Sequence, residues 1–340
     1  MNLTNPSFAV RTKASIKYGW GHLIRTLRLT SYLERTSPEI SVTVVAEGDS
    51  KVEDTLIQWG QKYTKVPSNP SLEDEIKWMD QIAPDIIIVD LLNIEPNCLK
   101  LYKQICKKLI CFSDLGYSYP EADIVICPQV LSKYPDPEPG QVFLTGPDYF
   151  ILDDSFKNLD IPREIAPKIN NLLVVMGGSL STKSEMWINN LIDGLGNQNF
   201  KTNFIMGFDR AGLIDTTRYQ NYSQITFIEG TNKLGQLMKS ADLAVGAGGY
   251  VKLELAASGT PALLVSIVDH QDSLAKQFAD QTEAARYLGP INEVTSTSII
   301  QTILSLSDNY EARSSMSRAG IRLVDGKGIY RIADTLFSSL

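Results

Sequence analysis

Short apolar segments alternate with amphipathic segments of helical period along most of the chain. Residues 85–89 are apolar on both faces, as a central strand of a parallel sheet must be, and residues 109–112 repeat the pattern after a helix. Residues 22–34 carry apolar side chains at helical spacing, which predicts a helix after the first strand and the loop at 12–21. Strand and helix follow one another throughout, so the pattern predicts a parallel α/β fold.

The alternation occurs twice, on either side of a segment with little strand pattern. A chain of 340 residues exceeds what one compact core usually holds. Two similar open α/β domains facing across a cleft are therefore expected. The predicted parts are a first domain at 1–150, a linker at 151–170, a second domain at 171–325, and a helix at 326–340 that crosses back to the first domain. Strands of the second domain are predicted at 171–176, 204–206, 225–228, 243–245 and 261–265.

Composition narrows the class of partner. The formal net charge of −7 argues against nucleic acid or an anionic membrane, since both favour a basic surface. No apolar run approaches membrane length and no signal peptide is visible, so a cytoplasmic protein is expected. The four cysteines show no CxxC spacing, which favours reduced, buried thiols.

A glycine-rich turn stands between a strand and a helix at residues 244–254. Gly248 and Gly249 allow a close backbone approach, and with Tyr250 they precede the predicted helix, where amides can face a phosphate. Glu254, one turn later, could accept hydrogen bonds from sugar hydroxyls. The alternative is a turn that serves packing alone. A second turn of this kind follows the strand at 171–176 and contains Gly177, Gly178 and Ser179.

The loop after the first strand is the best candidate for catalysis. It contains Gly19 and Gly21, which bring the backbone close to a ligand, and His22 stands at the start of the helix. Arg25, one turn on, is a further candidate for substrate binding. The positive end of the helix dipole disfavours imidazolium, which leaves a ring able to accept a proton. His22 is therefore the candidate general base, and a histidine that merely packs the loop is the alternative.

A dinucleotide site is a weaker interpretation of the same loop. Glu47 follows the second strand, as an acidic ribose ligand would, but Ile24 occupies the third glycine position of the fingerprint.

Other polar residues follow predicted strands, where ligands of open α/β sheets bind. Asp90 comes directly after the strand predicted at 85–89, and Ser113 and Asp114 come directly after the strand predicted at 109–112. Either aspartate could orient a substrate hydroxyl or cap a helix. His270 and Gln271 follow the last predicted strand and could hold ribose or sugar hydroxyls, or cap the helix predicted from 273.

The chain resembles the nucleotide-sugar hydrolases of pseudaminic-acid biosynthesis and their spore-coat polysaccharide relatives. The second half also looks like the donor domain of two-lobed inverting glycosyltransferases, including the peptidoglycan one. The resemblance spans nearly the whole chain. The shared motifs are Arg11 to Ser15, Gly19-x-Gly21-His22-x-x-Arg25, Phe112-Ser113-Asp114-Leu115, Gly146-Pro147-x-Tyr149, Gly177-Gly178-Ser179, and 241 through Glu254 to Gly259-x-Pro261.

The resemblance implies two Rossmann-like domains of the GT-B type and a UDP-sugar substrate, with UDP in the carboxyl-terminal domain. It also implies hydrolysis that needs no metal and no cofactor. It implies that His22 acts on water at the anomeric carbon. It further implies that the turn of Gly248 and Gly249 faces the diphosphate and that Glu254 takes the ribose.

Some positions depart from the family pattern, and they concern the sugar side. This chain has Lys13 where the family pattern has an aspartate, and Leu92 where the pattern has a tyrosine. It has Asp153 in place of an arginine and His270 in place of an asparagine. The nucleotide half keeps its motifs.

Three functions are thus weighed. The first is release of a sugar, such as an amino-deoxy sugar, from UDP in surface-polysaccharide or nonulosonic-acid biosynthesis. The second is an inverting glycosyltransferase with a UDP-sugar donor, and the third is a non-catalytic nucleotide-sugar-binding protein. The sugar, the base of the nucleotide and the oligomeric state, monomer included, stay open.

Overall fold

A computed structural model describes residues 5–15, 18–156, 163–177, 182–207 and 214–338, with the backbone alone for 182–184. It divides into two compact units. The first comprises Met1–Ile151 together with Lys327–Leu340, and the second comprises Leu152–Gly326.

The first unit is a seven-stranded parallel sheet flanked by helices. Its strand order is β3-β2-β1-β4-β5-β6-β7. The elements are β1 (Ser7–Lys13), α1 (Gly21–Thr36), β2 (Ser41–Glu47), α2 (Ser50–Gln58), β3 (Tyr63–Val66), α3 (Leu72–Ile82), β4 (Ile86–Asp90), α4 (Pro96–Ile105), β5 (Lys108–Phe112), β6 (Ile124–Cys127) and β7 (Val142–Thr145).

Strand β4 shows why the sheet is covered on both sides. Ile86 and Ile88 pack into one apolar core, while Ile87 and Val89 pack into another on the opposite face. Side chains alternate along a strand, so four consecutive apolar residues require apolar neighbours on both faces. The order reverses at β1 and β4, which places their carboxyl ends side by side at a topological switch point.

The second unit is a six-stranded parallel sheet in the order β10-β9-β8-β11-β12-β13. Three helices complete the chain, and the last of them belongs to the first unit. The elements are β8 (Asn171–Val175), α5 (Thr182–Leu195), β9 (Lys201–Met206), β10 (Ile225–Glu229), α6 (Leu234–Ser240), β11 (Leu243–Ala247), α7 (Val251–Ala257), β12 (Ala262–Ser266), α8 (Asp269–Thr282), β13 (Ala285–Pro290), α9 (Ser296–Ser307), α10 (Tyr310–Leu323) and α11 (Gly328–Ser338).

Helix α11 is held to the first unit by a close backbone contact and an apolar face. A Cβ on Gly328 would lie 2.2 Å from the carbonyl oxygen of Phe150, so only glycine fits there. Ile332 and Leu336 are buried in the core that contains Phe8. The carboxyl-terminal segment thereby completes the first unit.

The predicted α/β class with two parallel sheets is confirmed, and the differences lie in single elements. Strand β13 was not predicted, because its Leu-Gly-Pro ending resembles a turn and it lies at the sheet edge. Helix α8 begins at Asp269, so His270 and Gln271 lie within its first turn rather than in a loop.

Two further features are the state of the cysteines and the length and polarity of the helices. All four cysteines are free thiols, and Cys98, Cys111 and Cys127 are buried. Within the described parts of the chain, every helix is too short or too polar to cross a bilayer.

Candidate functional site

His22 and Asp90 form a hydrogen-bonded pair at the switch point of the first sheet. His22 is the second residue of α1, and Asp90 is the last residue of β4. Strands β1 and β4 are neighbours, with Thr12 paired to Asp90, so the helix that follows β1 starts beside the end of β4. The His22 Nδ1 atom lies 2.7 Å from Asp90 Oδ1. The histidine is thus oriented by a carboxylate.

Arg25 joins this pair to a second carboxylate. It lies one helical turn after His22, so both side chains share a face of α1. Arg25 Nε donates to Asp90 Oδ2 at 2.8 Å, and Nη1 donates to Asp114 Oδ1 at 2.9 Å. Its guanidinium also stacks over the ring of Phe112 at 4.2 Å. Two aspartates from adjacent strand ends are therefore fixed by one buried cation.

The cluster is largely shielded from water. Asp90 is 0% exposed and Arg25 3%, whereas the His22 side chain keeps 12% of its surface exposed. Burial alone would raise the pKa of the Asp90 carboxyl, but the charges and hydrogen bonds of Arg25 and His22 hold that pKa below its ordinary value. Asp90 thus remains a carboxylate at neutral pH.

The hydrogen bond to Asp90 determines what His22 can do chemically. A carboxylate only accepts, so Nδ1 carries a proton and Nε2 carries the lone pair in the neutral ring. When Nε2 takes a proton, the nearby Asp90 stabilises the imidazolium that forms. The pair has the geometry of a general base with its orienting acid.

Buried hydroxyls surround the same strand ends. The Oγ1 of Thr12 and the Oγ of Ser113 are buried and have no hydrogen-bond partner among the described residues. Leaving such a group unpaired costs about 1–3 kcal/mol, so these hydroxyls favour a polar ligand. Ser113 was predicted from its place after β5. Thr12 was missed, because a threonine near the end of an apolar strand gives no signal of its own.

The same residues include a set that could hold a metal ion. His22, Asp90 and Asp114 each offer a ligand atom, and these atoms lie within 4.8 Å of one another. Arg25 already donates to both carboxylates, so a metal ion there would face a fixed positive charge. This arrangement suits proton transfer better than metal ligation.

A second buried ionic network lies beside the cluster and was not predicted. Arg11 Nη2 donates to Glu75 Oε1 at 2.7 Å and to Glu47 Oε2 at 3.1 Å, and the hydroxyl of Tyr102 donates to Glu75. All four side chains are buried. Such a network needs α3, α4 and two strands together, so no local pattern reveals it.

Lys13, which departs from the resembled family, belongs to this network. Its Nζ lies 2.6 Å from Glu47 Oε1 and 4.0 Å above the ring centre of Tyr18. Burial acts to raise the pKa of Glu47, but the bonds from Lys13, the Asn69 amide and Arg11 lower it. Glu47 therefore forms ion pairs with Lys13 and Arg11. Because its carboxylate is already paired, the dinucleotide interpretation, in which Glu47 binds a ribose, has no support.

The Arg11–Glu75 pair gives a stability prediction. Glu75→Gln is expected to lower the free energy of unfolding by about 3 kcal/mol, because it leaves the buried guanidinium without its main countercharge. Urea unfolding measures the change. The matched control is Asp308→Asn, which removes an exposed pair with Lys168 and should cost less than about 1 kcal/mol. Equal losses in the two variants would contradict the assignment.

In the second unit, the turn after β11 is closed in by α8. A Cβ on Gly248 would lie 2.8 Å from the Cβ of Ala275, and one on Gly249 would lie 3.1 Å from the Gln271 side-chain nitrogen. Neither glycine has a positive φ. Gly248 is therefore required for close packing against α8, whereas a Cβ on Gly249 would meet only the movable end of the Gln271 side chain. Gly246 lies within β11 itself.

The other predicted residues of this unit lie around that turn. Gly177 has φ +68°, and a Cβ on it would lie 4.0 Å from Val251 of α7, because β8 and β11 are adjacent strands. Gln271 Oε1 accepts from the Ile267 amide at 3.1 Å, and His270 is exposed. Glu254, in α7, is 8% exposed. Tyr250 precedes α7, while Gly178 and Ser179 lie outside the described residues.

The chain is similar to known proteins, both in its carboxyl-terminal domain and over nearly its whole length. Residues 172–336 match the Glycosyltransferase family 28 C-terminal domain. The chain is also 29% identical over 328 residues to the spore coat polysaccharide biosynthesis protein SpsG of Bacillus subtilis (strain 168), and the alignment covers 94% of each chain.

Solved structures share the two-domain fold at low identity. MurG of Acinetobacter baumannii has a TM-score of 0.70 and 14% identity, covering 98% of this chain and all of that one. CalG4, the calicheamicin glycosyltransferase, has a TM-score of 0.68 and 13% identity, covering 99% and 98%.

These neighbours confirm the predicted GT-B type of fold, and residues 172–336 are similar to the carboxyl-terminal domain of family 28. The predicted similarity to a spore-coat polysaccharide protein is also confirmed. The narrower resemblance to pseudaminic-acid hydrolases stays a prediction, as do the individual site residues.

Proposed function

We propose that this protein is an inverting glycosyltransferase that uses a UDP-sugar donor in surface-polysaccharide biosynthesis. The observation that carries the proposal is the His22–Asp90 pair at the switch point of the first sheet. The family 28 match over 172–336 supports donor binding by the second unit, and the name of the B. subtilis relative supports the pathway class.

In the proposed reaction, His22 Nε2 takes the proton of an acceptor hydroxyl. The acceptor oxygen forms a bond to the anomeric carbon while the bond from that carbon to the diphosphate oxygen breaks. UDP leaves with the electron pair, and the single displacement inverts the anomeric centre. Asp90 stabilises the transient imidazolium, and Arg25 holds Asp90 and Asp114 in place.

The donor is assigned to the turn around Gly248 and Gly249, with Gly177 beside it. Glu254 would accept hydrogen bonds from the ribose hydroxyls, and Tyr250, His270 and Gln271 would lie near the donor. Gly178 and Ser179 are carried over from the resemblance alone.

Hydrolysis is the second candidate. Residues of the motifs shared with the pseudaminic-acid hydrolases, His22, Arg25 and Asp114, form one cluster with Asp90 in the structure. Water would then replace the acceptor hydroxyl, and the proton transfer to His22 would be unchanged.

One experiment separates these functions. The protein is incubated with UDP-, CMP- and GDP-sugars, and the free nucleotide is measured with and without sugar or lipid acceptors. UDP release that requires an acceptor supports transfer, and release in water alone supports hydrolysis. UDP binding without release under any condition would indicate a non-catalytic sensor, and no UDP binding would refute the proposal.

Glu254→Ala is expected to weaken UDP binding about 10- to 100-fold, because it removes a charge-assisted hydrogen bond to the ribose. Isothermal titration calorimetry with UDP measures the change. Glu229→Ala, which alters an exposed carboxylate at the edge strand β10, is the control and should bind UDP normally. Unchanged affinity in the Glu254 variant would refute the ribose assignment.

A further inference from the structure

A lysine side chain is buried directly beneath the turn of Gly248 and Gly249. Lys252 is the second residue of α7 and is 1% exposed. Its Nζ donates to the carbonyl oxygen of Gly248 at 3.0 Å and to that of Gly249 at 3.1 Å. Burying an ammonium group is costly unless it is hydrogen-bonded, and here two turn carbonyls serve that need.

These two bonds fix the orientation of two successive peptide groups. The peptide bonds are trans, and in a trans peptide the N–H points opposite to the C=O. With the carbonyls of Gly248 and Gly249 directed at Lys252, the amides of Gly249 and Tyr250 are directed to the other side. Successive amides on one side of a turn form a concavity that binds anions.

The remaining contacts leave the turn little freedom. The Gly248 amide donates to the Val265 carbonyl of β12 at 2.9 Å, and Ala275 of α8 closes the space above its Cα. The sheet and α8 therefore hold the start of the turn, while Lys252 holds the two peptide groups that follow.

We propose that Lys252 is a positioning residue for the donor diphosphate, through its hold on these two carbonyls. It directs the amides of Gly249 and Tyr250 toward the phosphates without touching them. The inference rests on the proposed function. It adds a residue that the sequence motifs do not identify, because a lysine at the start of a helix carries no distinctive sequence signal.

The test compares the wild-type protein with Lys252→Met and Lys252→Gln, using UDP and uridine as calorimetric probes. Lys252→Met is expected to weaken UDP binding about 10- to 100-fold, the effect of losing hydrogen bonds to a charged group. Uridine binding should not change, because uridine has no phosphate. Lys252→Gln should recover most of the UDP affinity, since its amide can still donate to the carbonyls.

Several results would overturn the inference. Normal UDP binding by Lys252→Met would do so, and so would an equal loss of UDP and uridine binding in that variant. A glutamine variant that binds UDP no better than the methionine variant would do so as well. If the wild-type protein does not bind UDP, the proposed function fails and this inference fails with it.

A second measurement does not depend on the variants folding. In the wild-type protein, the NMR amide resonances of Gly249 and Tyr250 should shift with UDP and stay in place with uridine. If the chemical shifts of these two amides do not change when the protein binds UDP, the role of the amides is overturned. The role of Lys252 is then overturned with it.

Discussion

Replacing His22 by asparagine is expected to lower kcat about 100- to 10,000-fold, the usual contribution of a general base. Asparagine can still bond to Asp90, but it has no lone pair that accepts a proton at neutral pH. UDP affinity should be preserved, because the proposal assigns the nucleotide to the second unit. Steady-state kinetics and UDP calorimetry on the same preparation measure both quantities.

His270→Asn is the matched control for this change. His270 is the only other histidine of the chain and is exposed in the first turn of α8. The variant should keep kcat and should alter at most the apparent KM for the donor. If His22→Asn retains full turnover, His22 is not the base in either transfer or hydrolysis.

The fold was largely predictable because its signals are local. The Ile-Ile-Ile-Val segment of β4 is apolar on both faces, and this property alone requires a covered parallel sheet. Strand β13 lacks such a signal. Its residues are mostly half-buried at a sheet edge, so nothing in the alternation marks it as a strand.

The candidate site was predictable in its parts and not in its connections. His22, Asp90 and Asp114 each come after a predicted strand, and that position marked them as candidates. Which residues pair with which depends on strand order, because His22 meets Asp90 only where β1 and β4 are neighbours. Arg25 was expected to touch substrate, yet the structure places its guanidinium between two carboxylates.

The Lys13 position illustrates the same limit. From sequence alone, a lysine in place of the family's aspartate suggests a changed sugar contact. The structure gives Lys13 a carboxylate of its own, Glu47, inside the network of Arg11 and Glu75. Lys13 therefore has an ion-pair partner within the first unit, because Glu47 accepts from both Lys13 and Arg11.

Asp90→Asn is expected to lower kcat on the order of 1,000- to 10,000-fold, which tests the pair rather than the histidine alone. The asparagine amide can donate to Nδ1, and the ring then carries its proton on Nε2, where the acceptor proton must go. The variant also loses the carboxylate that stabilises imidazolium. Single-turnover kinetics with a UDP-sugar measure the chemical step.

Asp114→Asn supplies the control, because Asp90 and Asp114 both accept from Arg25, while Asp90 is the closer carboxylate to His22 Nδ1. The His22 Nδ1 atom lies 2.7 Å from Asp90 and 3.7 Å from Asp114. Loss of the tautomer should therefore affect Asp90→Asn far more than Asp114→Asn, while both variants weaken the hold on Arg25. Equal losses would mean that the aspartates act through Arg25, and that the orientation of His22 contributes little to the rate.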